Sequence, residues 1–111
     1  TYKPVNIDKF KDKKLLAIAG IGNPENFFQL LEKYNLNVEK KLIFPDHYKF
    51  SKNEIENIVT ESSKSGHQII MTEKDYFKIM DYKIDKIDYL KVSIEISNLE
   101  KLLSIIKRLY D

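Results

Sequence analysis

Apolar residues along the chain gather into four short runs, separated by stretches in which they recur every three or four positions. Leu15 to Ala19 is the first run, bounded by Lys14 and Gly20. Its length and turn-forming boundaries read as a buried strand. Phe27, Phe28, Leu31 and Tyr34 then fall at helical spacing, which predicts a helix from Pro24 to about Tyr34 with Asn23 as its cap. Val38 to Phe44 reads as a second strand, and its polar centre, Glu39 to Lys41, predicts an edge position. Ser51 and Glu54 form a capping box ahead of a helix that buries Ile55, Ile58 and Val59 and ends over Ser62 to Gly66. Ile69 to Met71 is a third strand. Thr72 then predicts a helix start with Glu73 and Asp75 in the first turn and Phe77 and Met80 inward. Residues 81 to 88 fit no element. Tyr89 to Ile96 reads as a fourth strand. Asn98 caps a last helix with Leu99, Leu102, Leu103, Ile106 and Leu109 on one face. Residues 1 to 13 read as a polar linker, with a strand or turn near Val5 to Ile7; residues 14 to 111 read as one domain.

Strands alternating with helices predict a three-layer α/β/α, Rossmann-like domain around a four-stranded, mostly parallel sheet. Right-handed crossovers favour the strand order 2-1-3-4. Ligands of such sheets bind beyond the carboxyl ends of the strands, where the order reverses.

Composition narrows the chemistry. The 111 residues hold no cysteine, so thiolate catalysis and cysteine-ligated metal are excluded. The net charge of +2 comes from interspersed signs and gives no footprint for nucleic acid. No apolar run approaches the roughly 20 residues of a membrane span. A first residue of Thr1 rather than methionine is expected of a processed chain or a piece of a longer one. Lys9, Lys11, Lys13 and Lys14 suit a solvated linker, with an acidic lipid surface as the alternative.

Three polar clusters each follow a strand at its carboxyl end. Gly20-Ile21-Gly22-Asn23-Pro24 has two glycines but neither the third glycine of a dinucleotide fingerprint nor the lysine of a phosphate loop. It reads equally as an anion-binding helix start or as a tight turn with a capped helix. Asp46-His47 is the sharpest pair, because histidine exchanges a proton near neutrality and serves as a general base. The plainer alternative is an Asx-turn followed by an ordinary loop residue. Two ligands are too few for a metal site, and His67, after a helix, reads as a solvent-facing residue on the opposite edge. Thr72-Glu73-Lys74-Asp75 is a standard helix start; alternatively Glu73 and Lys74 form an ion pair shaping a cleft, or Lys74 meets a phosphate.

Taken in order, AGIGNPENFF, FPDHYKFS and MTEKDYFKI resemble the C-terminal domain of tetraacyldisaccharide 4'-kinase, the lipid A 4'-kinase family, over roughly Lys14 to Ile96. That resemblance implies a larger enzyme whose N-terminal domain, absent here, carries the phosphate loop, the ligands for ATP and Mg2+ and the membrane-associating helix. It implies ATP-dependent phosphorylation of the 4'-hydroxyl of a lipid A disaccharide 1-phosphate precursor at the cytoplasmic face of the inner membrane of Gram-negative bacteria. By position His47 matches the histidine that helps activate the attacking hydroxyl, and Asp46 would position it or shape the loop. Gly20, Gly22 and Asn23 would line the interdomain cleft, and Thr72, Glu73, Lys74 and Asp75 would serve either cleft structure or nucleotide-side contacts. Tyr48 stands where many members carry a second histidine. No metal site and no cofactor of its own are expected of this chain, which would be inactive alone. The competing reading is a free-standing module that binds an anion or nucleotide at the strand-end crevice.

Overall fold

The computed structural model describes residues 2–4, 6–94 and 99–110. Its elements are β1 (Tyr2–Pro4), β2 (Leu15–Ala19), α1 (Pro24–Lys33), β3 (Val38–Ile43), α2 (Lys52–Ser65), β4 (Gln68–Thr72), α3 (Glu73–Ile79), β5 (Ile87–Leu90), β6 (Val92–Ile94) and α4 (Leu99–Tyr110). Short 3-10 turns lie at Ile7–Phe10 and Met80–Tyr82. The main sheet runs β3-β2-β4-β5, all parallel. Counting its strands along the chain, that order is 2-1-3-4, as the alternation predicts.

The central strands are apolar because both of their faces are covered. Leu15, Ala17, Ala19, Ile70 and Leu90 point to the layer of α1, where they meet Phe27, Phe28 and Leu31. Leu16, Ile18, Ile69, Met71 and Ile87 point to the other layer, against Ile55 of α2 and Ile79 of α3. This is the period of two expected of a pleated strand. β3 is an edge strand, and its exposed Glu39, Lys40 and Lys41 discourage pairing with another chain. Ser51 Oγ accepts from the Glu54 amide at 3.1 Å, and Gly66 closes α2 with φ of 75°.

Four expectations are corrected. Residues 6 to 10 are not merely a solvated linker: Phe10 is fully buried among the α1-side residues. The fourth strand is two strands. β5 belongs to the main sheet, whereas β6 pairs antiparallel with β1 in a separate ribbon; Glu95, Ile96 and the cap at Asn98 lie outside the described residues. Phe77 and Met80 are more than half exposed, because α3 is short and turns Tyr76 and Ile79 inward instead. The last helix forms, but Leu103, Ile106 and Leu109 of its apolar stripe face solvent rather than a core.

Candidate functional site

Parallel register brings the three clusters side by side. Ala19 is paired with Ile43, and Ile18 with Met71, so Gly20, Phe44 and Thr72 leave the sheet at one edge. The Phe44 amide donates to the Ala19 carbonyl at 2.8 Å, extending the ladder to the start of the loops.

Asp75 locks two of these loops together. Its side chain is fully buried. Oδ2 accepts from the Gly20 amide at 2.8 Å and from the Thr72 hydroxyl at 3.1 Å. Oδ1 accepts from Lys78 Nζ at 3.0 Å, and the same ammonium donates to the Gly20 carbonyl at 3.0 Å. A buried carboxylate is tolerable because every one of these contacts comes from a donor. Thr72 meanwhile caps α3 by accepting from the Asp75 amide. Gly20 is buried in the clasp; a Cβ there would lie 3.4 Å from both Asp75 Oδ1 and the tip of Phe50. Neither Gly20 nor Gly22 has a left-handed backbone; a Cβ at Gly20 would make ordinary contacts, and one at Gly22 would press on the Asp46 side chain. Gly20 and Asp75 therefore hold the loops and offer no surface to a ligand.

His47 sits at the tip of a turn closed by the Tyr48 amide donating to the Pro45 carbonyl at 3.0 Å. Its φ is 63°, a left-handed value that is uncommon for a residue with a Cβ. The side chain is 80% exposed, with Nε2 at 3.6 Å from Asp46 Oδ2. Asp46 faces the first loop: a Cβ on Gly22 would lie 3.1 Å from its Oδ2.

Aromatic packing anchors this turn. Phe44 and Tyr48 stack at 4.9 Å, and Phe50 meets both edge-on at 4.9 and 5.1 Å. The Tyr48 hydroxyl donates to Glu54 Oε2 on α2 at 2.7 Å. That hydrogen bond, followed by burial and the glutamate charge, raises the Tyr48 phenol above its ordinary 10.0. The Tyr82 hydroxyl donates to the Phe50 carbonyl at 2.6 Å. Tyr48 thus faces α2, which the larger ring and hydroxyl reach.

Two openings flank the clasp. A crevice of about 390 Å³ on the α1 side is lined by Ile21, Asn23, Phe27, Thr72, Glu73 and Lys74, among others. It lies between β2 and β4, where the strand order reverses. Asn23 occupies the cap position of α1 without a side-chain capping bond, so its amide is left for this crevice. Glu73 and Lys74 form no ion pair among the described residues; both line the crevice. A second cleft of about 440 Å³, on the α2 and α3 side, is lined by His47, Tyr48, Lys49, Phe50, Lys78 and Tyr82.

Lys78 and Lys49 escaped the sequence reading. Lys78 lies three residues beyond Asp75 on a helix, the spacing of an ion pair, and that was its available signal. His67 is on the opposite edge, as expected, but does not face solvent. Its side chain is 6% exposed, held by Ser65 Oγ at 2.8 Å and Glu39 Oε1 at 2.9 Å.

These features define an α/β/α domain of Rossmann-like class with paired clefts at the strand ends. The sequence profile of the tetraacyldisaccharide-1-P 4'-kinase (LpxK) family matches residues 2–110, and the chain belongs to that family. It is 39% identical over 98 residues to the tetraacyldisaccharide 4'-kinase of Pelagibacter ubique, a match spanning 87% of this chain and 31% of that protein. It is 42% identical over 88 residues to the enzyme of the same name from Rickettsia bellii, spanning 79% and 27%. The crystal structure of the "apo" form of LpxK from Aquifex aeolicus in complex with ATP superposes with a TM-score of 0.59 at 25% identity, covering 96% of this chain and 31% of that one. The chain thus spans less than a third of the length of these relatives.

Proposed function

We propose that this chain is the C-terminal domain of an ATP-dependent kinase that phosphorylates the 4'-hydroxyl of a lipid A disaccharide 1-phosphate precursor, with the end of the interdomain linker ahead of Phe10, which already packs in the domain core. Family membership supports the reaction class. The observation that carries the domain assignment is where the β1/β6 ribbon lies. β5 ends at Leu90, level with Thr72 at the strand-end edge. Asn6 pins the ribbon there, its Nδ2 donating to the Tyr89 carbonyl and its Oδ1 accepting from the Lys91 amide, both at 2.9 Å. A domain attached through this ribbon would face His47 and the two clefts.

Among the described residues no three His, Cys, Asp or Glu side chains gather as metal ligands, and the sequence has no phosphate loop. As the family resemblance implies, ATP and Mg2+ are assigned to the other domain, where they would supply the transferable phosphoryl group and neutralise its charge. The part of this chain is to present His47. Its imidazole would accept the proton of the sugar hydroxyl as that oxygen bonds to the γ-phosphorus of ATP and the bond to the departing ADP breaks, with Asp46 positioning the ring or shaping the turn. Closure of the two domains would exclude water from the cleft. Among the described residues no helix is long and apolar enough to cross a membrane; attachment to the inner membrane is assigned to the other domain.

In the full-length enzyme, His47→Ala is expected to lower turnover by about 10²–10⁴ while leaving the melting temperature of this domain near wild type. Wild-type turnover would remove His47 from the mechanism. The 111-residue chain alone is expected to form no phosphorylated product from ATP and the disaccharide; product would overturn the division of labour.

A further inference from the structure

The cleft beside His47 has a chemistry of its own. Of its six lining residues, His47, Lys49 and Lys78 carry basic groups, and none is a carboxylate. Of the nearby acids, Asp75 is fully buried behind Lys78, Glu54 accepts from Tyr48, and Asp46 lies between Gly22 and His47 without lining the cleft. The hydroxyls of Tyr48 and Tyr82 are engaged as donors too.

Lys78 is held unlike a surface lysine. Its side chain is 23% exposed, and bonds to the Gly20 carbonyl and Asp75 Oδ1 fix its head. An ammonium has three donors, so one is unengaged among the described residues. A donor fixed in advance loses little freedom when a ligand arrives. Asp75 offsets the charge of Lys78, so Lys78 supplies direction while the exposed Lys49 supplies net charge. Phe50, Tyr48 and Tyr82 form low-dielectric walls, which strengthen the field of both.

We infer that this cleft binds a terminal phosphate group, with Lys78 as the directed donor and Lys49 as the charge partner. The inference stands apart from any proton transfer by His47. The phosphate has two sources, a sugar phosphate or the terminal phosphate of a nucleotide, and the test separates them.

The test is an amide NMR titration of the 111-residue chain with inorganic phosphate, glucosamine 1-phosphate and ATP, each against sodium chloride of equal ionic strength and against glucosamine. Saturable shifts are expected at the amides of His47 to Phe50 and of Lys78 with phosphate, and none with glucosamine. Tighter binding of glucosamine 1-phosphate than of ATP assigns the site to a sugar phosphate, and the reverse order to a nucleotide. Lys49→Gln, at an exposed position where the fold is safe, is expected to weaken binding about three- to tenfold, the loss of one charge-assisted contact. Lys78→Arg keeps a donor and the charge and should retain binding better than Lys78→Met. The inference is overturned by the absence of saturable shifts with all three ligands. Undiminished affinity in Lys49→Gln, or shifts confined to Gly22, Asn23 and Glu73, would overturn it equally. None of these outcomes depends on turnover, so the site and the kinase reading fail separately.

Discussion

Asp75→Asn tests whether the clasp, rather than the apolar core alone, holds the strand-end loops together. The substitution preserves volume and one acceptor. If the amide oxygen keeps the Gly20 N–H, the new NH2 must face Lys78 Nζ, now 3.0 Å from a donor instead of a carboxylate. If the amide flips, the Gly20 N–H is the one left without an acceptor, in a place no water reaches. Removing one partner of a buried ion pair costs about 3–5 kcal/mol. Lys78 is 23% exposed and can rotate into water, which lowers that figure, whereas Gly20 cannot move away. A loss of about 2–3 kcal/mol is therefore expected, close to one charged hydrogen bond. For a domain of this size that lowers the melting temperature by roughly 10–15 °C. Urea and thermal unfolding followed by circular dichroism measure the loss, and hydrogen exchange at the Gly20 amide localises it. Adding Lys78→Met should recover part of the stability, because an unpaired charge no longer remains. A single variant within about 0.5 kcal/mol of wild type, with Gly20 protected as before, would refute the reasoning.

Other consequences are cheaper to check. His47→Gly should be more stable than His47→Ala by about 0.5–1 kcal/mol, because glycine accepts a φ of 63° without strain; equal denaturation midpoints would show that the turn is relaxed. Gly22→Ala places a methyl 3.1 Å from Asp46 Oδ2, so Asp46 must swing out. The fold should lose less than about 1 kcal/mol, while the His47 ring resonances move; unchanged resonances would show that Asp46 does not set the ring. The Tyr48 phenol should ionise above its ordinary 10.0 in an absorbance titration, and Glu54→Gln should bring it down. Because the folded-state value is raised, the Tyr48 contribution to stability is complete below pH 10 and is lost as pH rises through the folded-state value. Glu54→Gln should therefore flatten the alkaline fall in stability.

The sheet was legible because its signals are local. Five apolar residues before Gly20, Ser51 three before Glu54, and Thr72 three before Asp75 each specify an element without reference to the rest of the chain. Strand order followed from the handedness of crossovers. What was not legible depends on distant partners. Phe10 looks like one apolar residue in a lysine-rich run, and only the concave face beneath α1 reveals it as core. The strand expected over Tyr89 to Ile96 alternates without interruption, yet it changes sheets at Lys91, where Asn6, 85 residues away, takes its amide. His67 has the composition of a surface turn and is covered by Glu39 of the edge strand. The clusters themselves were found, but the sequence could not separate the residues that build the edge, Gly20 and Asp75, from those that face outward, Asn23, His47 and Lys74. That division is set by which side of the clasp each backbone lies on.

The strain at His47 is met by contacts within this chain. Holding a non-glycine residue in the left-handed region costs on the order of 1 kcal/mol. Three aromatic contacts, each contributing about 0.5–1.5 kcal/mol, and the bonds from Tyr48 and Tyr82 offset it within this chain. The turn is consequently set before any ligand or second domain arrives. A loop that had to fold at closure would instead draw its ordering cost from binding. With the turn fixed by Phe44, Phe50 and α2, and the Gly20 loop fixed by Asp75 and Lys78, both loops of this edge are held by contacts within the chain.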